Sequence, residues 1–184
     1  GWFPGPSPKR GRELLAYLLT FRKAPAARTA IAEAIWPHLE ADAVRQRLHL
    51  AASGARTALR LAGAHDDAIR FSAGAYSWDP SVEIDSDFDR FVRLAGDGTI
   101  DTAHGAIALY GGEYMAGDDG EWLQPMRARC TSIYIALLEK LALDAIRRGR
   151  YDAAQGHCYD LLTTDRAHEG AVRLAFRRRD AWQQ

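Results

Sequence analysis

Residues 43–61, AVRQRLHLAASGARTALRL, decide how the chain is read. At about 100° per residue, Val44, Leu48, Ala52, Ala55 and Leu59 fall within about 80° of one another, the stripe of a helix docked on a core. On the reverse side Arg45, His49, Arg56 and Arg60 gather on one flank, and Gln46, Ser53 and Thr57 lie opposite the stripe. No acidic residue occurs from Ala43 to Leu61. A solvated surface helix mixes both signs of charge, so a face of one sign suits a polyanion.

The flanking segments give this helix its context. Upstream, Leu14, Leu15, Leu18 and Leu19 share one stripe and predict a helix over Lys9 to Phe21. Arg28 to Trp36 sets Ile31, Ala34 and Ile35 on one face and stops at Pro37, which lacks the donor that a continuing helix needs. Downstream, Ala68–Phe71 and Ala75–Trp78 alternate like strands around the turn residues Ser72, Ala73 and Gly74. Three helices followed by a hairpin is the order of a winged helix-turn-helix. In that arrangement the third helix enters the major groove of double-stranded DNA. Arg45, Gln46, His49 and Ser53 would then face base edges, Arg47, Arg56, Arg60 and Arg70 would meet phosphates, and Ser72 with the hairpin amides would reach the flank of the site.

Composition is consistent with this. The chain has 184 residues, 24 Lys+Arg against 24 Asp+Glu, 47% apolar and 26% charged residues, which excludes disorder, collagen and coiled coil. No apolar run reaches the roughly 18 residues of a membrane span, and Gly1–Arg10 carries no signal-peptide core, so a cytoplasmic protein without membrane contact is expected. Opening on Gly rather than Met, the chain reads as a piece of something longer. Cys130 and Cys158 read as buried thiols of a reducing compartment. The neutral total conceals a split: residues 1–80 hold eleven Lys+Arg and seven Asp+Glu, and residues 81–184 hold thirteen and seventeen. The change of sign at Asp79 and Pro80 predicts a DNA-binding domain over 1–80 and a helical domain over 81–184.

The second half reads as helices throughout. Ser86 with Asp89 forms a capping box and opens a helix that turns Phe88, Phe91, Val92 and Leu94 inward. Thr99–Tyr110 is its partner, and after the loop Gly111–Glu121 a long helix is predicted from Trp122 to Arg148, ended by Gly149. Tyr151, Ala154, Cys158 and Leu161 then continue a repeat of the tetratricopeptide kind, with Glu169–Trp182 beginning another. The predicted class is therefore mainly α, a winged helix-turn-helix followed by tetratricopeptide-like helical hairpins. Trp36, Trp78 and Trp122 read as core anchors whose indole N–H needs one partner.

The residues also resemble a known family. Lys9, Arg10, Arg12 and the Leu14–Leu18 run, then Ile35, Trp36, Pro37, then Arg45, Leu48, His49, Arg56, Leu59, then Gly74 and Tyr76 are similar to the DNA-binding domain of the Streptomyces antibiotic regulatory proteins. Asp85, Phe91, Tyr110, Gly112, Glu113, Trp122, Arg127, Arg129, Tyr134 and Gly149–Tyr151 with Ala154 are similar to the bacterial transcriptional activator domain that follows in those regulators. The resemblance implies binding to direct repeats in DNA, action in pairs as a homodimer, and recruitment of RNA polymerase. A second reading is a protein-interaction module of the same fold that has lost DNA binding; Gly54, about 1 kcal/mol worse than Ala inside a helix, and the absence of strands before the first helix motivate it.

Other motifs carry less. Asp85, Asp87 and Asp89 mimic the start of a calcium loop, but Arg90 and Gly96 occupy the positions that require Gly and Glu. Arg177 and Asp180 form an Arg-x-x-Asp element that a charged helix face also produces. The six histidines, His38, His49, His65, His104, His157 and His168, show no i, i+4 pairing and no nucleophile partner, so no catalytic residue, metal or cofactor is expected.

Overall fold

In the computed structural model, which describes residues 9–168 and 170, the leucine spacing near the start produces helix α1 (Lys9–Thr20), with Leu14, Leu15 and Leu18 buried. A two-residue strand β1 (Ala26–Ala27) follows, then α2 (Arg28–Ile35) and α3 (Ala41–Leu61). The hairpin is β2 (Ile69–Ser72) and β3 (Ala75–Trp78). Next come α4 (Asp87–Asp97), α5 (Ile100–Leu109), a turn of 3-10 helix (Glu121–Leu123), α6 (Gln124–Arg147) and α7 (Tyr151–Thr164). The architecture is mainly α, three helices and a hairpin followed by helical hairpins. Gly1–Pro8, the further repeat predicted from Glu169 and the Arg177–Asp180 element lie outside the described residues, Gly170 apart.

The chain divides into two compact units, Gly1–Ile84 with Gly117–Leu123, and Asp85–Ala116 with Gln124–Gln184. In the first, Ile31 of α2 and Leu48, Ala52, Ala55 and Leu59 of α3 close on the α1 leucines, with Ile69 and Tyr76 of the hairpin completing the core. The predicted α3 stripe is thus the buried one, and α3 runs unbroken through Gly54. Both β1 and β2 pair antiparallel with β3, Ala26 opposite Tyr76 and Ile69 opposite Trp78. Periodicity could not announce a strand as short as β1. The Trp78 indole N–H donates to the Leu18 carbonyl at 2.9 Å, and Trp122 lies against Tyr17 with ring centres 5.2 Å apart, so both act as anchors.

In the second unit, Ser86 caps α4 by accepting from the Asp89 N–H at 3.4 Å, and Thr99 caps α5 by accepting from Thr102 at 3.1 Å. Phe91, Ala103, Ala106, Leu137 and Leu141 share one core, and Leu138 meets Leu161 in a smaller one. The long helix predicted from Trp122 begins later than expected: Trp122 and Leu123 belong to the 3-10 turn, and Pro125 occupies the first turn of α6, where its missing N–H would have no partner in any case. Gly149, at φ +69°, ends α6 and turns the chain into α7. Arg127 is buried and donates to the carbonyls of Tyr114 and Met115 at 3.1 and 3.2 Å, pinning the loop before α6. Cys130 and Cys158 are buried free thiols whose pKa values burial raises. No described helix is long and apolar enough to cross a membrane.

Candidate nucleic-acid interface

Because α3 spends one stripe on the core, its remaining surface faces outward. Gln46, His49 and Ser53 are exposed, Arg47 and Arg56 half-buried. Arg45 and Arg60 expose 68% and 59% of their side chains while pairing with Asp42 at 3.8 Å and Asp66 at 3.4 Å. Pairs this exposed are worth about 0–1 kcal/mol, so a phosphate can displace the carboxylate at small cost.

The flank of α3 nearest the hairpin forms a cleft of about 220 Å³. Arg45, His49 and Arg56 line it from α3, Phe71 and Tyr76 from the hairpin, and Arg28 from the first turn of α2. Sequence pattern does not point to Arg28, since nothing around it ties α2 to the hairpin. The tie is the short strand β1 and the Arg28 backbone N–H, which donates to the Gly74 carbonyl at 3.0 Å. The cations leave a trace on Tyr76: burial raises its hydroxyl pKa, while Arg56 and Arg28 oppose the rise.

Two of the expected phosphate contacts are otherwise engaged. Nε and Nη2 of Arg56 both donate to the Ile69 carbonyl, at 3.0 and 2.9 Å, so this side chain fastens α3 to β2. Arg70 on β2 forms an ion pair with Asp79. Asp79, where the charge changes sign along the sequence, is only 4% exposed and gathers the base of the hairpin. It accepts from the Ser81 backbone N–H at 2.8 Å and from the Ser81 hydroxyl, and His65 Nε2 lies 4.0 Å away. The Ser81 hydrogen bonds, followed by the charges of Arg70 and His65, hold its carboxyl below the ordinary carboxylate range. A buried anion fixes the base of the wing in this way, but the cation used for that is no longer a spare donor.

The hairpin tip is a two-residue turn, Ala73 and Gly74, with φ of +49° and +79°. Both central residues are left-handed, which matches the twist of the flanking strands. Ser72 is exposed and ends β2 opposite Ala75. The structure thus brings Arg45, His49 and Arg56 together with Arg28. Gln46 and Ser53 point away from the core, Arg47 stands on the far flank of α3, Arg60 sits in its last turn, and Arg70 and Ser72 lie on β2.

Of the lesser motifs, Asp85 is bound by Arg90 through both carboxylate oxygens, and Asp87 accepts from the Phe88 N–H at 2.7 Å. His104 and His157, far apart in sequence, bring their rings to 5.9 Å.

Residues 86–178, half of the chain, match the family model described as the bacterial transcriptional activator domain. The chain belongs to this family. As a bacterial transcriptional activator domain protein, it has a fold also seen in Mycobacterium tuberculosis EmbR, solved in complex with a low affinity phosphopeptide. That structure superposes with a TM-score of 0.78 at 21% identity, over 97% of this chain and 52% of the EmbR chain. The present chain therefore spans about half the length of that relative. No curated protein sequence matches it.

Proposed function

We propose that this bacterial transcriptional activator domain protein is a sequence-specific, DNA-binding regulator of activator type. Helix α3 lies in the major groove, and the hairpin follows the adjacent backbone. The helical unit serves dimerisation or contact with a partner such as RNA polymerase. The observation that carries this reading is the α3 surface: Arg45, His49 and Arg60 exposed with no acid between them, and Arg28 and Arg45 converging on a cleft beside the hairpin. Within the proposal Gln46, His49 and Ser53 face bases, while Arg28, Arg45, Arg47 and Arg60 meet phosphates. Arg56 and Arg70 hold the hairpin in place, and Ser72 touches the backbone.

The test is titration of a random 30-base-pair duplex by fluorescence anisotropy from about 50 to 200 mM salt. Nonspecific binding should appear at the low end and weaken linearly in log–log form. Arg45→Ala should lower the slope by about 0.9. An absence of binding at low salt would overturn the proposal in favour of an interaction module that keeps only the fold.

A further inference from the structure

The middle of the α3 surface holds a feature that cations do not explain. At about 100° per residue, Leu50 points within about 30° of the direction opposite the core, beside Gln46 and Thr57. It is 59% exposed. A single exposed leucine on a protein surface is ordinary. This one is unusual in its surroundings: Arg45, His49 and Arg60 follow one another along one side of it, Arg47 stands on the other, and no carboxylate interrupts residues 43–61.

An exposed apolar side chain with arginines on both sides has a definite complement, an apolar group flanked on both sides by anions. The major groove supplies it. Phosphates run along both edges, thymine 5-methyl groups project from the floor, and the width of about 12 Å accepts a helix of about 10–12 Å. We propose that Leu50 is a specificity-determining residue that packs against the 5-methyl group of a thymine. The inference rests on the DNA-binding reading above and adds to it a base preference at one position of the site. No hydrogen bond is needed. Discrimination comes from removing one methyl group and the leucine tip from water, about fourfold in affinity.

The experiment starts from a duplex enriched out of a randomised 20-base-pair pool by the full chain. Each thymine is replaced in turn by deoxyuridine, which lacks only the methyl group, and binding is followed by anisotropy at fixed salt. For the wild type one replacement should weaken binding about fourfold. Leu50→Ala should bind the thymine and uracil duplexes equally at that position, with an unchanged salt slope. Leu50→Met, which keeps an apolar tip of similar reach, should restore the difference. Equal binding of every uracil duplex by the wild type, or the same discrimination in Leu50→Ala, overturns the assignment even if DNA binding stands. Failure to bind the pool at low salt removes the DNA-binding reading and this inference together.

Discussion

Helices α3 and α6 are of similar length, 21 and 24 residues, yet they use their charges in opposite ways. The buried residues of α3 occupy an arc of about 100°, all aliphatic. Those of α6 spread over about 160° and include Arg127 and Asp144, because α6 packs against α4 and α5 as well as α7. A helix enclosed by several neighbours commits its ionic groups inward: Arg127 holds the 114–115 carbonyls, and Asp144 receives Arg148 and Arg150 at 3.0 and 3.1 Å. One with fewer neighbours leaves its cations to the solvent. Arg56 is the exception on α3 that supports this contrast, because it lies where the hairpin closes over the helix and is spent on Ile69.

The largest effects should come from the two cores. Leu138→Ala on α6 and Leu48→Ala on α3 each remove a side chain at most 1% exposed, and each should cost about 2–5 kcal/mol in urea unfolding. Leu138→Ala should lie nearer the upper limit, because a site walled by helices on both sides collapses less. A cheaper Leu138→Ala would break the comparison.

Next come the charges. Arg127→Ala removes a buried guanidinium that donates to two half-buried carbonyls and should destabilise by about 1–3 kcal/mol. Arg45→Ala should stay within about 0.5 kcal/mol of wild type in the same unfolding assay. If the two variants unfold alike, the distinction between inward and outward cations is wrong. Arg56→Ala sharpens it: a residue that fastens the hairpin should lose stability, whereas a phosphate contact should change only the salt slope.

Much of this was legible in the sequence, for identifiable reasons. The stripes of α1 and α3, the Ser86 cap and the Gly149 stop depend on residues within a turn or two of each other, so local pattern suffices. Arg28, Arg70 and Asp79 were not legible in role. Whether an arginine on a strand is spare or paired depends on a carboxylate nine positions away in a loop, and Arg28 reaches the cleft only through a two-residue strand. The 3-10 turn before α6 escaped for another reason. Trp122 and Leu123 continue the apolar spacing of the helix, yet Trp122 packs with the first unit's Tyr17 and Phe21 rings. Gly54 points the other way: a poor helix former by propensity, it does not interrupt α3, because packing of Ala51, Ala52 and Ala55 decides the backbone.

A smaller gain should follow from the hairpin tip. Ala73 holds φ at +49°, a region that Asn tolerates better than Ala. Ala73→Asn should therefore stabilise the first unit by a few tenths of a kcal/mol, up to about 1 kcal/mol, seen as a raised urea midpoint with unchanged slope. A lowered midpoint would show that the turn is not what limits the hairpin.

The least effect concerns a half-buried titratable ring of the second unit. Burial, and then the neighbouring His104, push the pKa of His157 below its ordinary value of 6.5, with Asp160 opposing and Arg150 adding to the fall. In the unfolded chain the ring takes up its proton near pH 6.5, whereas in the folded chain it stays neutral to lower pH. The unfolded state therefore binds more protons in this window, and its stability relative to the fold increases as the pH is lowered. Folded stability should decline from about pH 7.5 toward 5 and level off once the folded ring also protonates. Replacing the ring by the His157→Gln substitution should remove that part of the decline and leave stability at neutral pH little changed. His104→Gln should lessen the decline without abolishing it, because burial is the larger cause. Thermal melts at about pH 7.5, 6.5, 5.5 and 5.0 measure both. If the profiles of the His157→Gln variant and the wild type run parallel, the partial burial of His157 beside His104 does not hold its ring neutral, and the contrast between inward and outward cations would not extend to this unit's histidines.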